Sequence, residues 1–262
     1  MIQRAVQTVA IAAAMVVCGT TANLAAQQDF SWSGSVDRGD AVSIRGINGG
    51  IVARAGSGSE VRVTAVKTSE DDPISSVRVE VVEDGDGVLI CAVYPTPDNA
   101  DEENRCARGR AYKMNNKDND VKVNFTVEVP AGVELNAVTV NGDVEVSGLT
   151  GDVNAVTVNG DVDVSTNGSA TATTVNGSIE ARVGRLDDDL EFTTVNGGVR
   201  LTLPAGASAD VEATTVNGRI ETDFPITIRG RWGPRSARGE IGGGGVSLHI
   251  TTVNGSIEII RA

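Results

Sequence analysis

Between Val138 and Ile259 apolar and polar positions alternate in short runs, and six times the runs are interrupted by the same tetrapeptide, Thr-Val-Asn-Gly. Its asparagines, Asn141, Asn159, Asn176, Asn196, Asn217 and Asn254, lie 18, 17, 20, 21 and 37 residues apart, and the last interval is close to two ordinary ones. Self-similarity at a fixed period of this size marks a stacked repeat. Aligned on the asparagine, the copies fall into columns. One column holds Val144, Val162, Ile179, Val199, Ile220 and Ile257; another holds Ala137, Ala155, Ala172, Phe192, Ala213 and Ile250; the residue before each asparagine is Val. These columns are apolar, and the sites between them are mainly Thr, Asp, Glu, Ser or Arg, which is the period-2 pattern of strands buried on one face.

Asn-Gly also favours tight hairpins, so an antiparallel meander competes with a coil. A meander of a dozen strands needs a second layer or closure, whereas a coil lets each turn bury its neighbour's apolar face. The expectation is therefore an all-β solenoid with rungs of about 17–21 residues. The six asparagines would then stand roughly 4.8 Å apart, their amides joined as in other Asn ladders, with Gly easing the corner.

The pattern is less strict before residue 136. Residues 1–26 read as a secretory leader: Arg4 gives the positive start, 5–17 the apolar run, and Leu24, Ala25 and Ala26 a small-residue cleavage site. That run is too short to span a bilayer, and the mature chain is expected to carry no transmembrane segment. Lipidation at Cys18 is disfavoured, because Val17 stands where such signals want Gly, Ala or Ser. Residues 27–135 are expected to form a β-rich cap and the first rungs, continuous with the regular solenoid of 136–262. Ile47, Asn48 and Gly49 look like a degenerate corner of a first rung. Cys91 and Cys106, the cysteines outside the leader, bracket a Pro- and acid-rich loop and are read as a disulfide closing it.

Composition narrows the function. Aromatics are 3% of the chain, which disfavours an aromatic sugar platform. The formal net charge of −13 argues against nucleic acid as a partner. An acidic column runs through Glu145, Asp163, Glu180, Glu221 and Glu258, with Asp143 and Asp161 nearby, but Arg200 interrupts it and no calcium nonapeptide accompanies it. These acids follow the repeat, whereas a catalytic pair should break it. The single histidine, His249, occupies a polar column with Asn136, Asn154, Thr171, Glu191 and Glu212, and is read as a surface residue. The run 242–245 of four glycines lacks the Lys and Ser/Thr of a phosphate loop. Pro225 to Val246 departs from the pattern and carries Arg229, Arg231, Trp232, Arg235 and Arg238. It is expected to be an inserted loop over a rung that lacks the Asn-Gly corner, its arginines pairing with neighbouring acids; a binding loop is the alternative.

With the serial Thr-Val-Asn-Gly-x-[Val/Ile] units, and Gly230 to Pro234 leading into Gly239 to Gly245, the chain resembles the bacterial putative-adhesin family of β-strand-repeat domains from about Ala41 to Ile259. The resemblance implies a β-solenoid and a non-catalytic envelope role, with some relatives linked to sensing of envelope stress, and it carries over no catalytic residue. The expected protein is exported and not an enzyme. It uses no metal or cofactor and serves as a structural or adhesion-type module for an envelope protein or glycan. The alternatives are an envelope-stress or ligand-sensing binding protein and a polysaccharide-acting β-helix enzyme.

Overall fold

The computed structural model of the chain describes residues 30–85, 87–108, 114, 116, 118–229 and 234–262. In chain order the strands are β1 (Phe30–Ser35), β2 (Ala41–Arg45), β3 (Ile51–Ala55), β4 (Glu60–Thr68), β5 (Arg78–Asp84), β6 (Gly87–Val93), β7 (Lys122–Val129), β8 (Glu134–Val138), β9 (Val144–Leu149), β10 (Val153–Val156), β11 (Val162–Thr166), β12 (Ala170–Thr173) and β13 (Ile179–Val183). They continue with β14 (Leu190–Thr193), β15 (Val199–Leu203), β16 (Ala209–Thr215), β17 (Ile220–Thr222), β18 (Thr227–Arg229), β19 (Arg235–Ile241), β20 (Val246–Thr252) and β21 (Ile257–Arg261). They form two open sheets, and the architecture is solenoid-like.

Each rung is a strand in one sheet, a corner, and a strand in the other. Parallel pairing sets like residues over like: Ala137 beside Ala155, Ala155 beside Ala172, Val144 beside Val162 and Val162 beside Ile179. The two inward faces meet in one apolar cluster that runs from Val42 to Ile259 and is filled chiefly by Ala, Val, Ile and Leu. Asn48 supplies the corner of a genuine rung, β2–β3, which pairs with β8–β9.

The alternation runs on into the corner, but polarity no longer follows it. Thr139, Thr157, Thr174, Thr194, Thr215 and Thr252 are buried, while the valine after each is half-buried, as Val140, Val158 and Val253 are, or turned outward, as Val175, Val195 and Val216 are at 36%, 36% and 38% exposed. The valine column therefore corrects the reading of it as core. The cause is a bond available to threonine alone: Thr157 Oγ1 donates to Gly142 O at 2.8 Å, Thr174 to Gly160 O at 2.9 Å and Thr194 to Gly177 O at 2.8 Å. The corner backbone is also paired in both directions, as where Asn159 N donates to Val140 O and Gly160 N to Asn176 O. Glycine is needed for close approach: a Cβ on Gly177 would collide with the carbonyl of Gly160, and one on Gly197 with that of Gly177.

Rungs are not stacked in chain order. Strand β20 lies between β14 and β16, and β21 between β15 and β17, so the rung of Asn254 sits between those of Asn196 and Asn217. This accounts for the 37-residue interval and corrects the expected loop over a cornerless rung. The intervening residues form β18 and β19, antiparallel strands that extend the sheet beyond β16. The chain must then cross the start of β16 to reach β20. Gly242 to Gly245 make that crossing against Ala207 and Ser208, where Gly242 and Gly244 have φ of 61° and 73° and Gly243 N donates to Ser208 Oγ at 2.9 Å. At the other end β2–β3 is likewise held between β6–β7 and β8–β9, and antiparallel β4, β1 and β5 cover the outside. Antiparallel covers hide parallel edges that would otherwise template further pairing.

Thr174→Val should cost about 1–2 kcal/mol by leaving the half-buried Gly160 carbonyl short of a donor. Gly177→Ala should cost about 1–3 kcal/mol through backbone overpacking. Gly206→Ala, where a Cβ meets open space, should change urea midpoints little.

Candidate interaction surfaces

Three structures follow from the stacking: a polar corner edge, a charged outer face, and a strap held by a disulfide. At the corner edge the asparagine side chains form one file. Nδ2 of Asn141 donates to Asn48 Oδ1 at 2.9 Å, Asn159 to Asn141 at 2.8 Å, Asn176 to Asn159 at 2.7 Å and Asn196 to Asn176 at 2.9 Å. Asn254 then donates to Asn196 and Asn217 to Asn254, both at 2.8 Å, and Asn48 Nδ2 closes the far end on Asn119 O at 3.3 Å. The outward valines lie beside this file, so the edge offers a regular strip of amide and methyl groups repeated at strand spacing, roughly 4.8 Å.

Two of the acids near the charged column are fixed to the backbone. Asp143 Oδ1 accepts from Asp161 N at 2.8 Å and Asp161 Oδ1 from Ser178 N at 2.7 Å. The charged column itself lines an outer groove of about 390 Å³ with Asp161, Asp163, Glu180, Arg200 and Glu258. Arg200 pairs with Glu258 at 2.8 Å and is in register with Glu180. Partial burial, then the charge of Glu180, raises the Asp163 carboxyl above its usual range, while Arg182 opposes the shift. On the other sheet His249 faces outward with Nδ1 3.9 Å from Glu212 Oε2, and Glu191 is its neighbour on the opposite side. Among the described residues, no three His, Cys, Asp or Glu side chains are grouped to hold a metal ion.

Of the arginine-rich segment, Arg231, Trp232 and the side chain of Arg229 lie outside the described residues, as do the leader and Cys18. Arg235 and Arg238 belong to β19. Arg235 donates to Gly218 O at the last corner of the stack, and Arg238 pairs with Glu212.

Cys91 and Cys106 form a disulfide with their Cα atoms 5.6 Å apart. Cys91, Leu89 and Val93 make a small outer cluster on β6 that Cys106, Val82 and Met114 cover. Buried Asn104 ties the strap back through Nδ2 to Tyr94 O and Pro95 O, each at 3.1 Å. Tyr94, a residue with no counterpart in the repeat columns, occupies the corner of the β6–β7 rung, donating to Val121 O at 2.9 Å and accepting from Asn48 N at 3.2 Å; burial pushes its hydroxyl up to about 12. Beside it Asp120 is held well below the carboxylate range by Ser69 Oγ and the N–H groups of Glu70, Asp71 and Asp72.

A family model described as Toastrack DUF4097 matches residues 108–260. The chain belongs to the Toastrack DUF4097 family. Among solved structures this Toastrack chain is similar to a putative cell adhesion protein from Clostridium sporogenes, with 8% identity, a TM-score of 0.48, and coverage of 89% of this chain and 99% of that one. It is also similar to a putative adhesin from Bacteroides fragilis, with 10% identity, a TM-score of 0.31, and coverage of 89% and 96%. Likeness at these scores carries no weight, and the Toastrack architecture stands on its strand pairing and the family match. No curated protein matches the chain. Among the described residues no helix is long and apolar enough to cross a membrane.

Asp163→Asn should stabilise the Toastrack fold slightly at neutral pH, by under about 1 kcal/mol after solvent screening. A raised carboxyl penalises the ionised native state above its folded pKa, so the gain should fade as pH drops through that value; thermal melts from pH 7 to 4 would show it. Cys106→Ser should cost on the order of 3 kcal/mol by freeing the strap, seen as a lower urea midpoint and as proteolysis within 95–105.

Proposed function

We propose that this Toastrack chain is an exported, non-catalytic β-solenoid that acts as an adhesion-type interaction module at the cell envelope. One observation carries the reading: among the described residues the outward side chains are organised by the repeat and do not converge on a reaction centre. The asparagines bond to one another, Asp143 and Asp161 to backbone N–H groups, and Arg200 to Glu258. What the surface offers is a long periodic strip of Asn amides and exposed valines. Flat surfaces of this kind suit an extended partner, a protein strand or a glycan chain, that makes many equivalent contacts. The net charge of −13 and the leader-like residues 1–26 fit an exported acidic protein and an uncharged or basic partner.

Val175→Asp with Val195→Asp places two charges on the strip without entering the core. Labelled protein should bind envelope fractions saturably, and the double variant should bind at least tenfold less while melting as the parent does. Fractionation should find the chain outside the cytoplasm and processed after Ala26. Release of reducing ends from an envelope polysaccharide, lost in Glu180→Gln, would replace this reading with an enzymatic one.

A further inference from the structure

On the sheet that carries β8, β10, β12 and β14, the starts of these strands surround an outer recess of about 140 Å³. Register places Glu134, Asp152, Ser169 and Asp189 in one file there, each one rung from the next, so Asp152 and Asp189 stand roughly 10 Å apart on either side of Ser169. The turn before β14 adds Asp188 to the lining, and among the described residues no Lys or Arg contributes. These carboxylates feel one another: burial first, then Asp152, Asp188 and Asp40, raises Glu134 above its usual range.

Ser169 is the second and independent sign of a ligand. It is only 5% exposed and lines the recess, its backbone N–H donates to Asp152 Oδ1 at 2.8 Å, and its Oγ has no partner. Serines in the corner column do not share this condition: Ser178 Oγ accepts from Gly198 N and Ser256 Oγ from Arg219 N, each at 3.3 Å. A buried hydroxyl without a partner is costly and calls for a missing group. That group must be cationic to sit among four carboxylates and must carry hydrogen to satisfy Ser169. A bare metal ion is a poor fit, since these acids are spread along the file and form no metal-holding group of three. An amine or guanidinium directs several N–H bonds outward over such a distance.

We propose that the recess binds an organic cation, a primary ammonium or guanidinium seated over Ser169 with its charge shared between Asp152 on one side and Asp188 and Asp189 on the other. A second positive centre a few carbons away would reach Glu134. This site is on the opposite sheet from the Asp163 groove and does not depend on the adhesion reading. The same chemistry is offered by a free polyamine and by a Lys or Arg side chain of a protein.

The test is calorimetric titration of the full chain at low ionic strength with spermidine, with an arginine-containing peptide and with calcium chloride. One spermidine or peptide should bind per chain. Ser169→Ala, which changes no charge, should weaken binding severalfold, and Glu134→Gln with Asp188→Asn at least tenfold; Asp152 and Asp189 stay untouched because each holds a backbone N–H. Asp163→Asn with Glu180→Gln removes the same charge from the other sheet and should leave affinity within twofold. Tighter binding of the peptide assigns the source to a partner's side chain, and tighter binding of spermidine to a free polyamine. Equal losses in both double variants, calcium binding that displaces the amines, or no saturable binding would each overturn the site.

Discussion

Hydrogen bonds passed from one corner to the next hold the rungs in register. A parallel strand pair alone tolerates slippage when its neighbours look alike. Here each corner gives an amide and a hydroxyl to one neighbour and receives the same from the other, while its backbone N–H groups bond to both. A slip of one residue would break all of them together. The tetrapeptide is accordingly held constant across the repeats, whereas the outward strand positions vary among Glu, Asp, Arg, Thr, Asn and His. The corner specifies the stack, and the faces are left free to carry chemistry.

Alternation made the buried columns at Ala137, Val144 and their copies readable, along with the rung at Asn48 and the cysteine pair. It held at the corner as well, but residue type there runs against it: a polar Thr takes the inward position on a carbonyl, and an apolar Val takes the outward one. Rung order was also invisible, since Asn217 and Asn254 satisfy the same neighbours in either position. Ser169 gave no signal either. Its burial is a tertiary property that a serine at a strand start does not announce.

The unexpected order has an electrostatic rationale. Were β16 stacked directly on β14, Glu191 and Glu212 would be neighbours in one column, an unfavourable like-charge contact. Placing β20 between them sets His249 in the gap and leaves Glu212 to pair with Arg238 on β19. In the other sheet Arg200 meets Glu258. At these two places a side chain that is not a carboxylate separates acids that would otherwise adjoin.

The glycine crossing over β16 has a temporal implication. In the chain β14 through β17 precede the strands that lie between them, so the edges of β14 and β16 are made before their intended wedge, β20, can be placed. Either those surfaces wait apart, or they close early and must be pried open. In both cases the closing step of assembly is a distant insertion at this crossing, not the winding on of one more turn.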